Sequence, residues 1–504
     1  MEKPPPPGAH VPDFDKLKVD TNPAARDVDV GQVLDVESIP KVEKRVLWKL
    51  DLLLIPLMAI CYMLQYMDKL ALSQATLFDL REEMGLKDNQ YNWASAIFYF
   101  GYFTWSWPSS YLIVRLPLGK YLSLAVFLWG GILMCHAACT SFSGLMVARF
   151  FLGIGEASIA PGFAIITGMF YKREEQPARQ AAWFFGNSIA SVVGGMVAYG
   201  IGEIHGSALS GWQLLFLILG SITAGYGIVL GALLPDSPVK TIFFNKAEKA
   251  IALRRTLKNK TGVMDAGKFK WSQVLMAIKD PQTWFLVLYM FCVNLCNGGI
   301  TSFSSIIIRG FGFPKLKALL IQMPIGVAQV VFLVFTSGFA TLVRSTRIIM
   351  MILNTTVSMI GMIMIWRLGE GNRAGKMTGL CLGAVFAVNI PLSLSLISSN
   401  VAGFTKKSTV SALMFVAYCI GNIVGPQFFI PSEEPEYPTG IKAAMSGLVF
   451  GVFFLICLYI FYTGENHRRD QVYGSPRQLT EAEELQDELS NKTDHEIESF
   501  RYVL

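Results

Sequence analysis

Between residues 51 and 463 the chain is a succession of apolar stretches separated by short polar ones. The stretches fall near 51–77, 91–114, 120–140, 143–170, 179–203, 211–234, 282–308, 317–341, 347–367, 377–401, 407–431 and 441–463. Each is about twenty residues or longer, enough to cross a hydrocarbon layer of roughly 30 Å at about 1.5 Å of helix per residue. A backbone inside lipid must satisfy its own hydrogen bonds, so such runs are expected to be helices. The pattern predicts an all-α membrane protein with about twelve transmembrane helices. A polar segment, 235–280, divides six of them from six. The expected organisation is therefore a disordered N-terminal tail (1–46), a six-helix half (47–234), a linker (235–280), a second six-helix half (281–464) and an acidic tail (465–504).

Composition supports this. Hydrophobic residues make up 52% of the 504 and charged residues only 16%, against roughly 25% charged in soluble domains. Eight cysteines, Cys61, Cys135, Cys139, Cys292, Cys296, Cys381, Cys419 and Cys457, all fall in apolar stretches, where cysteine packs as a small hydrophobe. Cys135/Cys139 and Cys292/Cys296 are one helical turn apart, but no histidine or carboxylate cluster joins them, so neither a metal site nor a disulfide framework is expected. No cofactor is indicated. MEKPPPPGAH at the start lacks the basic and apolar regions of a cleavable signal peptide.

Charge orients the helices. The linker carries Lys240, Lys246, Lys249, Arg254, Arg255, Lys258, Lys260, Lys268, Lys270 and Lys279, and short loops on the same side add Arg115, Lys120, Lys172, Arg173, Arg179, Arg344, Arg347, Lys406 and Lys407. Loops on the opposite side hold Asp79, Glu82, Glu83, Asp88, Glu433, Glu434 and Glu436. By the positive-inside rule both termini are expected in the cytoplasm. The basic linker lacks interleaved aromatics, and topology accounts for its charge without a nucleic-acid partner.

The halves repeat one another. Ala160-Pro161 has a counterpart in Ile390-Pro391, and Ser191-Val-Val-Gly-Gly195 in Asn422-Ile-Val-Gly-Pro426. The shared offset of about 230 residues is what an internally duplicated transporter shows.

Ionisable groups at membrane depth cost on the order of 2.5–3.5 kcal/mol each and point to function. They are Asp68 and Lys69 in the first stretch, His136 in the third, and Arg149 and Glu156 in the fourth. Arg149 and Glu156 are two helical turns apart and share a face. A fixed guanidinium at Arg149 suits an anionic substrate group or Asp68 at similar depth; Glu156 and Asp68 are the candidates for exchanging protons. His136, near a helix end, reads as a packing residue. Asn294, Asn297, Gln322, Gln329, Asn389, Tyr418 and Asn422 in the second half, with Tyr99, Tyr102 and Trp105 in the first, are candidates for contacting a planar polar solute or for tying helices together.

Several stretches carry a family resemblance: YMDK (66–69), NQYNW (89–93), RLPLGKYL (115–122), ARFFLGIGEASIAPGF (148–163), YKREEQPAR (171–179), LPDSP (234–238), SNVAGFTKKSTVSALMFVAYCIGNIVGPQ (399–427) and FRYVL (500–504). The chain resembles the major facilitator superfamily, and within it the fungal allantoate permease-type branch of the anion:cation symporters. The resemblance implies two pseudo-symmetric six-helix halves rocking about a central cavity. It also implies proton-coupled uptake of organic anions such as allantoate, nicotinate, pantothenate or biotin. In related vesicular and lysosomal anion transporters an Arg-x6-Glu pair binds the anion and couples the proton, and that pattern falls on Arg149 and Glu156. The superfamily's acidic-basic signature after the second helix is reduced here to PSSYLIVRLPLGK (108–120), without its Asp.

The expectation is a transporter rather than an enzyme: a monomer in the plasma membrane, whose partners are a small anionic substrate, protons and the bilayer. Export by antiport and a non-transporting nutrient sensor, with the acidic run Glu481, Glu483, Glu484, Asp487 and Glu488 recruiting a partner, are the alternatives.

Overall fold

The computed structural model describes residues 39–172, 175–204, 206–257, 269–343, 345–369, 371–474 and 491–504, and among these the chain is helical with no strands. The first half contains α1 (Ile39–Ala75), α2 (Gln90–Arg115), α3 (Leu118–Cys135), α4 (Phe142–Glu156), α5 (Ile159–Phe170), α6 (Gln176–Gly202) and α7 (Gly211–Leu233). In the linker lie α8 (Lys246–Leu257) and α9 (Trp271–Lys279). The second half contains α10 (Pro281–Gly310), α11 (Lys315–Ile321), α12 (Met323–Leu342), α13 (Arg347–Arg367), α14 (Arg373–Gly383), α15 (Asn389–Asn400), α16 (Phe404–Val424) and α17 (Pro438–Tyr473).

Among the described residues eleven spans are long and apolar enough to cross a membrane, counting α4–α5, α11–α12 and α14–α15 as one each. The twelfth, α2, has 26 residues and the length to cross, but its Asn, Ser and Tyr side chains dilute its hydropathy. Those buried residues face other helices rather than lipid. Two breaks fall at equivalent places in the repeat. The helix interrupted at Ala157–Ser158 resumes before Pro161, and the one interrupted at Val385–Val388 resumes before Pro391, because proline supplies no N–H and its ring crowds the preceding turn.

Helix α1 starts at Ile39, inside the stretch 1–46 expected to be a tail; residues 1–38 lie outside the described residues. Glu43, in that first turn and a half, pairs with Lys172 and Arg255. At the other end α17 runs to Tyr473, and residues 491–504 fold back against the second half. Asn491, Thr493, Asp494 and Tyr502 of this segment are buried, whereas the acidic run 481–488 lies outside the described residues.

Within the first half α1 packs on α6, α2 on α4 and α3 on α7; in the second, α10 packs on α16 and α17, and α13 on α14 and α17. The halves meet along α1–α10, α2–α16 and α6–α12. Glycine makes the α2–α4 contact possible: a Cβ on Gly153 would stand 2.0 Å from the Phe98 carbonyl oxygen, and one on Gly101 2.0 Å from that of Phe150. Backbones this close let α4 present Arg149 and Glu156 to the interior, as small residues do in lipid-embedded helix pairs.

Candidate functional site

A cavity of about 610 Å³ lies between the halves. From the first half its wall is built by Tyr62, Gln65, Tyr66 and Lys69 of α1, Tyr99 and Tyr102 of α2, and Trp183, Phe184 and Asn187 of α6. The second half supplies Asn297 and Thr301 of α10, Gln329 of α12, and Phe415 and Tyr418 of α16. Residues 62, 65, 66 and 69 recur every three or four positions, so one stripe of α1 faces the cavity while its neighbours pack. Aromatic rings touch across the seam, with Tyr99 on Tyr418 at 6.0 Å and Tyr102 on Phe415 at 5.5 Å between centroids.

Among the described residues that line the cavity, Lys69 is the charged one. Its Nζ lies 3.6 Å from Oε2 of fully buried Glu156. The ammonium also sits over the rings of Phe98 (5.5 Å) and Tyr102 (5.6 Å), which face it with their negative quadrupoles. Behind it, Asp68, Glu156, Lys69 and Arg149 lie within electrostatic reach of one another. Two formal negatives and two formal positives balance, which is what a low-dielectric site tolerates. Gln65 stands beside Glu156 and Trp129 beside Asp68, yet none of the four carboxylate oxygens receives a hydrogen bond of good geometry among the described residues.

The sequence-selected residues divide between cavity and scaffold. Tyr99, Tyr102, Asn297, Gln329 and Tyr418 line the cavity. Arg149 does not: it is buried, donates from Nε to the Ala94 carbonyl at 3.2 Å, and stacks over Phe98 at 5.3 Å. No ion pair within 4 Å joins Asp68 to Arg149 among the described residues, and the close pair is Lys69–Glu156 instead. Both cations, Lys69 and Arg149, lie over the Phe98 ring.

Asn422 sits one step behind the wall, donating to Asn294 at 3.0 Å and accepting from Asn297 at 2.7 Å. Asn294 itself donates to the Met290 carbonyl at 2.7 Å. Asn389 is spent on scaffold, donating to Tyr289 and Thr355 and accepting from Asn354. Gln322 donates to Ser305 at 2.6 Å and accepts from Gln74 across the seam at 3.4 Å. His136 bonds Ile132 and stacks on Phe216, consistent with a packing role. Lys69 was singled out in the sequence for its charge, whereas the Tyr62–Gln65–Tyr66 stripe, Trp183, Phe184 and Thr301 are cavity residues that sequence reasoning missed. The signal for the α1 stripe was the polar recurrence at 62, 65, 66 and 69; Trp183, Phe184 and Thr301 carried none.

The cavity runs toward the side of the basic loops, where Trp107, Ser110, Leu394, Ile397, Ser408 and Ser411 extend its wall. On the acidic-loop side the halves are shut. Tyr91 donates to the Ser302 carbonyl (2.6 Å), Asn92 to those of Pro426 (2.8 Å) and Phe429 (2.9 Å), and Ser73 accepts from the Ser305 amide (3.1 Å). Arg81–Glu434 and Lys315–Asp79 ion pairs cap this layer.

A membrane protein of two helical halves around a central cavity open to one side is a transporter by architecture. The chain belongs to the Major Facilitator Superfamily, whose family model matches residues 58–426. It is 37% identical over 490 residues to an uncharacterised transporter of Schizosaccharomyces pombe, covering 97% of this chain and 91% of that one. Identity is 33% over 483 residues to allantoate permease of Saccharomyces cerevisiae (93% and 88% covered). A thiamine pathway transporter of the same yeast is 31% identical over 490 residues (95% and 90%). Among solved structures, the chain is similar to the xylose transporter XylE from E. coli in an inward open conformation, with TM-score 0.60 and 14% identity over 80% of this chain and 95% of that one. A bacterial homologue of the human lysosomal transporter Spinster, inward-facing and occupied, gives TM-score 0.57 at 15% identity over 81% and 95%. The protein is thus a multi-pass membrane transporter of small molecules, not an enzyme.

Proposed function

We propose that this transporter carries a small organic carboxylate into the cell together with a proton. The observation that bears most on this reading is the Lys69–Glu156 pair, with the ammonium on the cavity wall and the carboxylate fully buried behind it. An incoming carboxylate competes with Glu156 for Lys69. When the substrate takes the ammonium, Glu156 is left as an unpaired buried charge, which is costly, unless a proton neutralises it. Empty, the pair is Lys⁺–Glu⁻; loaded, it is Lys⁺–anion⁻ with neutral Glu156. Both states are balanced, whereas substrate alone or proton alone leaves a net charge in a low-dielectric site. Halves that rock only when the site is balanced couple the two fluxes.

The rest of the cavity suits the body of such a solute. Tyr62, Tyr66, Tyr99, Tyr102 and Tyr418 offer flat faces, and Asn297, Thr301 and Gln329 offer amide and hydroxyl groups opposite Lys69. In this reading Asp68 and Arg149 hold the charge balance of the cluster. The basic-loop side is cytoplasmic, the cavity is open inward, and the protein works as a monomer in the plasma membrane with both termini inside.

The test is uptake of a radiolabelled carboxylate panel at acidic and neutral pH, with and without an uncoupler. Accumulation that the uncoupler abolishes supports the reading. Uptake of carboxylates that neither pH nor uncoupler alters contradicts it.

A further inference from the structure

Helix α9 presents two unlike faces. Gln273 and Ala277, one turn apart, are buried against the protein. Gln273 is fixed on three sides: its Nε2 donates to the Asn491 carbonyl at 2.8 Å, and its Oε1 accepts from the amides of Thr405 (3.1 Å) and Lys406 (3.3 Å). That grip sets the rotation of the helix. The opposite face carries Trp271, Leu275 and Ile278, spaced four and three residues apart, with Phe269 just before the helix; they are 73%, 56%, 43% and 61% exposed. Aqueous exposure of three such side chains on a nine-residue helix and a fourth just before it is unfavourable, so this face has an occupant.

We infer that α9 lies in the plane of the membrane surface, with this face sunk among the lipids of the bilayer that the protein itself spans. Position supports that occupant. Asp280 directly follows α9 and caps the membrane helix α10, accepting from the Gln282 amide. Exposed Trp284, in the first turn or so of α10, donates its indole N–H to the Ile278 carbonyl at 2.7 Å. The apolar face of α9 is therefore continuous with the lipid-facing surface of α10. A helix with a strong apolar side and flanking lysines is what binds at a headgroup boundary. Lys270 and Lys279 bracket the face, both exposed, so the headgroups it meets are acidic phospholipids.

The anchoring has a consequence for the cycle. Through Gln273, α9 holds the first residues of α16, the helix that carries Phe415 and Tyr418 to the cavity wall. Lipid contact thus bears on the inner end of the second half, whatever the substrate.

The experiment uses the full-length protein in nanodiscs. The difference in tryptophan emission between wild type and Trp271→Phe isolates the signal of Trp271. It is expected to lose more than about half its intensity in phospholipids brominated near the headgroup and to resist aqueous iodide, as for an interfacial side chain. Quenching by iodide with no response to the brominated lipid overturns the inference. For the acidic headgroups, phosphatidylglycerol added to phosphatidylcholine discs is expected to raise the thermal midpoint of the wild type. The double variant Lys270→Gln/Lys279→Gln loses that rise, whereas Lys87→Gln, in the acidic loop of the opposite side, keeps it. An equal rise in the double variant overturns the charge part. Neither readout involves transport, so failure of the proton-coupling reading leaves both interpretable.

Discussion

Lys69 and Asn389 are both polar residues inside the membrane, yet their surroundings give them different work. Lys69 faces the cavity, and its Nζ is 3.6 Å from Glu156. Asn389 is enclosed by Tyr289, Thr355 and Asn354. Lys69→Gln is therefore expected to raise the KM for the transported carboxylate by about 10- to 100-fold, the roughly 1.5–3 kcal/mol of a lost charge-assisted contact. Asn389→Ala is expected to lower the thermal midpoint while leaving KM within a factor of about two, because it orphans buried donors and acceptors away from the cavity. Transport kinetics beside a thermal melt separates the two. Both residues were visible in the sequence as intramembrane polar groups, but their roles were not. Whether a polar side chain on a buried helix meets a cavity or another helix depends on partners far along the chain, such as Asn354 for Asn389 and Glu156 for Lys69. For the same reason Arg149 drew attention for its charge, although Phe98 and the Ala94 carbonyl hold it behind the wall.

Elements were more legible than contacts. The apolar stretches fall on the membrane helices, and the Pro161/Pro391 correspondence marks the two interrupted spans, since proline acts locally. Helix starts were less so. The chain before residue 47 carries many charges, and the turns from Ile39 are held by Glu43 on Lys172 and Arg255, a tertiary effect. The α2–α4 contact depends on two glycines, so Gly153→Ala is expected to cost on the order of 1–3 kcal/mol by overpacking, read as a lower thermal midpoint in detergent. Residues 491–504 depend on a buried ionic knot. Lys406 lies 2.6 Å from Asp280 and 2.7 Å from Asp494, all three fully buried, with Gln282 and Tyr502 completing the bonds. Burial pushes the Asp280 carboxyl up, but His495, Lys406 and Gln282 outweigh it and hold the group at about 2. A depressed carboxylate contributes stability above its unfolded value near 3.8, and that contribution fades as pH falls toward 2. Wild type is thus expected to lose its thermal midpoint steeply between about pH 4 and pH 2. Asp280→Asn, already without that charge, is expected to start lower and to fall less over the same range.

At the scale of the whole molecule, the two halves are sealed on the acidic-loop side and parted on the basic one. Partly exposed ion pairs are worth about 0–1 kcal/mol, so Arg81–Glu434 is not what keeps the acidic-loop side shut. Buried Asn92, with two carbonyl partners in the second half, contributes more per residue. Asn92→Ala is therefore expected to speed the reaction of a cysteine placed at Ser302 with a thiol reagent added on the acidic-loop side, whereas Arg81→Glu changes that rate little. The twelve-helix plan and its internal repeat were readable from hydropathy and spacing; the closed and open faces were not, because they arise between halves about 230 residues apart in the repeat. Proton coupling is the claim on which the account turns, and proteoliposomes test it most directly. With an imposed inward proton gradient and no sodium, wild type is expected to concentrate a radiolabelled carboxylate above its outside level. Glu156→Gln is expected to exchange the same substrate across the membrane without concentrating it. Gradient-driven accumulation by Glu156→Gln equal to that of wild type would contradict the account.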